Sequence, residues 1–311
     1  MSAAAGLLEG LRSGGKRAMA SALARIEAAP EEPRTLALLD AAWLGARAHV
    51  IGLTGPPGAG KSTLIGQLIR AERAQGRSIG VIAIDPSSRR TGGALLGDRL
   101  RLDLDAEDQG VFVRSMAARG RLGGLAAHAQ AAVVLMRAVY DRVIVETVGV
   151  GQSETDIASV ADTTVLCVQP GSGDSLQYMK AGIAEIPDVA VISKADLGSL
   201  ALKAKGDLEA ALALDRRSDG WSVPVIPVSG AEGQGMTPLL EAIAGHERHL
   251  SVDRRRQERR DRQAETWLVE AVRAEFGRQG FEQATRAGGF DLALGESPFR
   301  AWRRLADRLR R

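Results

Sequence analysis

Seven short apolar runs rich in β-branched residues, each followed by a helical stretch, restrict this chain more than any other feature of it. They are Val50 to Leu53, Ile79 to Ile84, Val111 to Val113, Val143 to Val145, Val165 to Val168, Val189 to Ile192 and Val223 to Val228. Runs this apolar offer water no polar face, so the strands they form have to be covered on both sides. The alternation with helices predicts an α/β fold built on a doubly wound, mainly parallel sheet. Residues 1–46 lack such runs and read as a helical N-terminal extension, amphipathic around Leu36, Leu38, Leu39 and Trp43 and broken by Pro30 and Pro33. Residues 47–249 hold the sheet. Residues 250–311 read as a helical C-terminal arm, with an apolar stripe at Leu268, Ala271, Val272 and Phe276. Ser297 as N-cap and Pro298 in the first turn open a last helix, whose stripe is Trp302, Leu305, Ala306 and Leu309. Stripes appended to a complete sheet domain call for a partner, and a homodimer through this arm is expected, with packing on the chain's own domain as the alternative.

At 311 residues and 45% hydrophobic content the chain can bury a full core. The net charge is only +3, and Glu258 and Asp261 interleave with Arg254, Arg255, Arg256, Arg259, Arg260 and Arg262, with no aromatic partner for the arginines. That pattern reads as a solvated helix face, and nucleic-acid binding is not expected. The single cysteine, Cys167, lies in an apolar run, which excludes an intramolecular disulfide and fits a reducing, cytoplasmic setting. No run approaches the length of a membrane span and no apolar leader opens the chain, so neither membrane insertion nor secretion is expected. The four histidines, His49, His128, His246 and His249, form no metal-ligand spacing and read as core or solvated residues.

Chemistry concentrates in the loops after the predicted strands. Gly55, Pro56, Pro57, Gly58, Ala59, Gly60, Lys61, Ser62 and Thr63 match GxxxxGK[ST] between a strand and a helix, the context that motif requires. Its glycines let backbone N–H groups converge on a β-phosphate, Lys61 bridges β- and γ-phosphates, and Ser62 ligates magnesium. Asp85 ends the second strand, and Asp98 lies in the Gly-rich segment that follows; carboxylates there suit magnesium or the positioning of an attacking water. Glu146 ends the fourth run and precedes a glycine hinge at Gly149 and Gly151, as an acidic magnesium and γ-phosphate sensor would, or as a simple strand-end charge. Ser193, Lys194, Ala195 and Asp196 follow the sixth run, where [NT]KxD reads guanine. Asp196 can accept from guanine N1–H and its 2-amino group, whereas adenine offers neither donor and would strand a carboxylate. Ser193 in the place of Asn or Thr lacks the amide that braces the phosphate loop. Ser229, Gly230 and Ala231 follow the last run, where a backbone N–H meets guanine O6. GTP and GDP are the expected nucleotides, with Mg2+.

Longer segments resemble one family, the MeaB/ArgK-type P-loop GTPases that include the methylmalonic aciduria type A protein. They are Gly55 to Thr63, Ile84 to Arg99, Arg114 to Ala126, Glu146 to Glu154, Gln169 to Ile186 and Ser193 to Asp196. The resemblance implies the P-loop GTPase type of fold, hydrolysis of GTP to GDP and phosphate, and a chaperone role toward an adenosylcobalamin-dependent acyl-CoA mutase, whose cofactor loading it gates. It places Lys61, Asp98 and Glu146 in catalysis, and Ser62, Asp85, Asp98 and Glu146 around magnesium. It makes Gly171 to Gly182 a switch toward the partner; Gln177 and Lys180 within it are candidates for the relay, with ordinary exposed helix residues as the alternative. Ser193, and Pro187 after Ile186, depart from the family pattern. Alternative readings are an ATP-dependent kinase of ArgK type, against which Asp196 argues, and a nickel-insertion GTPase, whose His- or Cys-rich segments are missing here.

Overall fold

The computed structural model describes residues 3–85, 105, 107–117, 127–147, 157–171, 187–213, 219–293 and 295–310. The chain divides into two compact units, residues 49–126 with 142–255 and residues 1–48 with 127–141 and 256–311. The first holds the sheet. Its strands are β1 (His49–Thr54), β2 (Ile79–Asp85), β3 (Val111–Ala117), β4 (Arg142–Thr147), β5 (Thr163–Val168), β6 (Val189–Ser193) and β7 (Val225–Val228). They lie in the order β3-β2-β4-β1-β5-β6-β7. Every pairing is parallel, so the sheet is wholly rather than mainly parallel. The seventh strand starts two residues later than the apolar run because Pro224 has no N–H to give; its carbonyl still accepts from Ala190 N at 2.9 Å.

The two-residue period of the strands sorts their side chains between two cores. Ile51, Leu53, Val165, Cys167, Val189 and Val191 face α4 (Lys61–Ala74) and α7 (Met236–Leu250), which contribute Ile65, Leu68, Ile69, Leu239 and Ile243. Leu166, Val168, Ala190 and Ile192 face the other way, onto Ala201, Leu208 and Leu212 of α6 (Ser199–Leu212). Covering both faces explains why the strands carry no polar alternation.

The other unit gathers α1 (Ala3–Ser13), α2 (Gly15–Ala28), α3 (Pro33–Leu44), α5 (Ala127–Val139), α8 (Arg255–Arg286) and α9 (Pro298–Leu309). Gly277 (φ 65°, ψ −163°) bends α8 in a conformation that only glycine adopts cheaply. Leu268 and Val272 then meet Ala284, Ala301 and Leu305 in one small core, with Phe276, Trp302 and Leu309 at its rim. Both apolar stripes are thus covered inside this unit, and they no longer argue for a second copy of the chain. Ser297 caps α9 by accepting from Arg300 N, and Asp40 of α3 receives both Ser297 Oγ and the Arg300 guanidinium. The basic run on α8 is not simply a solvated face. Arg260 is buried and donates to the Ala48 carbonyl at 2.8 Å, which makes it a structural cation of this unit. No helix among the described residues is long and apolar enough to cross a membrane.

Candidate nucleotide site

The loop after β1 has to pass close under β5 before it enters α4. Gly55 (φ 136°) makes that passage, and a Cβ there would stand 2.1 Å from the Cys167 carbonyl oxygen, an overlap with backbone that cannot relax. Gly60 (φ 77°) sets the first turn of α4. Lys61 is buried under the loop, and its Nζ donates to the Gly55 and Pro56 carbonyls at 2.6 and 3.0 Å. Ser62 Oγ donates to Glu146 Oε1 at 3.2 Å, which joins the phosphate loop to the end of β4. One step further along β4, Thr147 Oγ1 donates to Thr54 Oγ1 at 3.2 Å.

On the other side of β1, the end of β6 and the loop after β7 close a cleft of about 310 Å³. Ala59, Gly60, Thr63 and Leu64 form its phosphate-loop wall; Ser193, Lys194 and Asp196 form a second, and Val228, Ser229, Gly230 and Ala231 a third. The volume lies at the lower end of the range for small-molecule sites. Lys194 holds a left-handed φ of 53°, a conformation that costs a side-chain-bearing residue about 1–2 kcal/mol and turns the chain sharply after β6. Asp196 is exposed at the cleft mouth. Ser193 Oγ donates to the Val168 carbonyl at 3.2 Å, toward β5 and not toward the phosphate loop. The fold therefore brings Gly55 to Thr63, Glu146, Ser193 to Asp196 and Ser229 to Ala231 to the carboxyl ends of the strands, around the strand where the order of the sheet reverses, the usual ligand position in such sheets.

Asp85 ends β2 opposite Ala117. Asp98, Gln177 and Lys180 lie outside the described residues, as do 172–182 of the expected switch. Two contacts escape sequence reasoning. Gln67 of α4 donates through Nε2 to the Gly230 carbonyl at 3.0 Å, and Gln169 follows β5 with its Oε1 3.8 Å from where a Gly58 Cβ would stand. Gln67 falls four residues after Thr63, one helical turn on, and that spacing is the signal that could have found it. Cys167 is fully buried, and burial pushes its thiol up to about 12; the Lys61 ammonium works in the opposite direction and the Glu146 carboxylate in the same one.

A glycine-lined phosphate loop opening a helix, at the carboxyl end of the central strand of a parallel sheet, defines a P-loop nucleotide hydrolase. The comparisons narrow this. Residues 18–285 match the family model described as methylmalonyl Co-A mutase-associated GTPase MeaB, and the chain belongs to that family. GTPase ArgK of Escherichia coli is 35% identical over 289 residues, covering 89% of this chain and 87% of that one. The mitochondrial methylmalonic aciduria type A homolog of Mus musculus is 38% identical over 223 residues, covering 70% of this chain and 54% of its own. The crystal structure of a LAO/AO transport system kinase superposes with a TM-score of 0.68 at 26% identity, covering 99% of this chain and 98% of that one. The chain is a GTPase and binds guanine nucleotides.

Proposed function

We propose that this GTPase is a chaperone of an adenosylcobalamin-dependent acyl-CoA mutase, methylmalonyl-CoA mutase or a close relative, and that its nucleotide state gates cofactor loading into that mutase. The observation that carries the reading is the family match over residues 18–285, to GTPases described by their association with such a mutase. In this reading Lys61 leaves its loop carbonyls to neutralise β- and γ-phosphate charge. Asp196 accepts from the guanine edge, and the backbone of Ser229 to Ala231 donates to it. Ser62 and Glu146 supply an all-oxygen pair at the phosphate end, which suits a hard divalent cation. Among the described residues no group of three His, Cys, Asp or Glu side chains is placed to hold a metal ion by itself, and magnesium needs none, because phosphates and waters complete its shell. Bound there, the ion would offset charge on the transferring phosphoryl group. Asp85 and Asp98 join this end, and Gln177 and Lys180 carry the nucleotide state to the client. The protein works in the cytosol, where Cys167 stays a thiol.

The test is steady-state GTP turnover with and without an adenosylcobalamin-dependent acyl-CoA mutase of the source cell. We expect slow turnover alone and stimulation of about tenfold or more by the client, because a partner's groups complete the stabilisation of transition-state charge. Absence of stimulation by every such mutase removes the chaperone reading. A kinase role, which the name of the LAO/AO transport protein raises, predicts instead transfer of phosphate to a second substrate.

A further inference from the structure

The loop Ser229 to Ala231 is closed on itself by Ser229 N, which donates to Gln234 O at 3.0 Å, and by Glu232 N, which donates to Ser229 Oγ at 3.4 Å. Those bonds shape the loop but do not orient it toward the phosphate end of the cleft. Two contacts with α4 do so. Gly230 packs so closely on Thr63 that a Cβ there would stand 2.9 Å from the Thr63 methyl, and Gln67 Nε2 donates to the Gly230 carbonyl at 3.0 Å. Thr63 and Gln67 lie one helical turn apart on the same face of α4, so one rigid helix receives the phosphates at its first turn and holds this loop at its second. Ser193, from the other base-end wall, spends its hydroxyl on Val168 of β5 and ties nothing to the phosphate loop.

We infer that Gln67 is a positioning residue for nucleotide binding: its amide fixes the loop Ser229 to Ala231 relative to the phosphate loop, and so sets the span between the base and phosphate ends of the site. This rests on the reading that the loop meets the guanine base. Gln67 is half-buried and is not part of the core cluster between the sheet and α4, so its removal loosens the loop without unfolding the chain. One neutral hydrogen bond sets the scale, a loss of about three- to tenfold in affinity.

The experiment uses the full chain, with calorimetric titration of GDP and of inorganic tripolyphosphate, steady-state GTP turnover, and the melting temperature without nucleotide. Gln67→Leu should weaken GDP by about three- to tenfold and raise KM for GTP by the same factor at unchanged kcat. Tripolyphosphate affinity should stay at the wild-type value, and the melting temperature should fall by no more than about a few degrees. Gln67→Lys restores a donor and should recover GDP affinity. Unchanged GDP binding in Gln67→Leu overturns the inference, and so does an equal loss for GDP and tripolyphosphate, which would put the effect on the phosphate loop. Asp196→Asn separates the inference from the reading beneath it. A shift of preference from GDP toward xanthosine diphosphate supports a base-reading end. If Asp196→Asn leaves that preference unaltered, the base reading falls and the role of Gln67 falls with it. If Asp196→Asn shifts the preference while Gln67→Leu binds GDP normally, only the role of Gln67 falls.

Discussion

The two ends of the sheet use polar residues in opposite ways. At the carboxyl ends of the strands, Lys194 and Asp196 border a cleft beside the phosphate loop, in which Ser62 meets Glu146 and Lys61 rests on carbonyls of its own loop. At the amino ends, His49 Nε2 and His246 Nδ1 each lie 2.7 Å from Thr163 Oγ1. His246 Nε2 lies 3.4 Å from Asp188 Oδ1, while Asp188 and Asp162 accept the backbone N–H groups of Thr164 and Val50 at 2.8 Å. Exposure of these five side chains is 1% or less. Trp221 closes the end, with its ring 4.9 Å from His246 and its Nε1 donating to the Asp188 carbonyl. Groups that satisfy one another locally are spent on holding the strands in register, whereas groups left facing a cleft are free to change partners when a ligand arrives. The amino end builds stability and the carboxyl end builds a site.

The largest effect should come from breaking the stability end. Asp188→Ala removes the acceptor of Thr164 N and the neighbour of His246, and it leaves buried donors behind. We expect a loss of about 3–5 kcal/mol in urea denaturation, with GTP turnover per folded molecule near wild type. A fall in turnover at full folding would show that the two ends are not separable.

The converse substitution is Lys61→Ala. It deletes the cation that the proposed reading places on the β- and γ-phosphates and should cut GTP turnover on the order of a hundredfold or more, while the urea midpoint moves little, because the ammonium rests on carbonyls of its own loop. Wild-type turnover would remove Lys61 from the chemistry; a collapse in stability would make it a structural cation like Arg260.

The same contrast decides what was legible in the sequence. Local patterns carried the parallel sheet and the phosphate loop, because strand burial and a glycine-dependent turn each leave a signature within a few residues. Spacing also brought Ser193 to Asp196 and Ser229 to Ala231 to one cleft, since both follow strands whose ends lie on the same edge. The amino-end lattice left no such trace. His49, Thr163, Asp188 and His246 come from four separate stretches of the chain, and only the sheet order makes them neighbours, so the histidines read no further than core or solvated. The stripe Leu268 to Phe276 signalled a need for cover, but amphipathicity does not say which surface supplies it, and here α9 does. The Arg260 anchor on Ala48 spans 212 positions, which no periodicity reveals.

Cys167 gives the smallest and finest probe, because its carbonyl walls the phosphate loop while its thiol lies in the core between sheet and α4. Burial raises that thiol from an ordinary 9.0 to about 12 in the folded chain. A group whose folded pKa lies above its unfolded value stabilises the fold fully below the unfolded pKa, and that contribution is lost as pH rises through the folded one. The stability difference between the wild type and Cys167→Val should therefore be constant below about pH 8, then shift against the wild type by about 1.4 kcal/mol per pH unit above about pH 9. Comparison with the valine variant at each pH cancels other groups that titrate in this range, such as the buried Tyr140, whose hydroxyl burial also pushes upward. The measurement is urea denaturation of both proteins from pH 7 to pH 10. A difference that stays flat across pH 9 to 10 would mean that the thiolate is accommodated at the carboxyl end of β5. The polarity of the site would then reach into the core, and the boundary between the two ends would lie deeper in the sheet than the packing around Cys167 indicates.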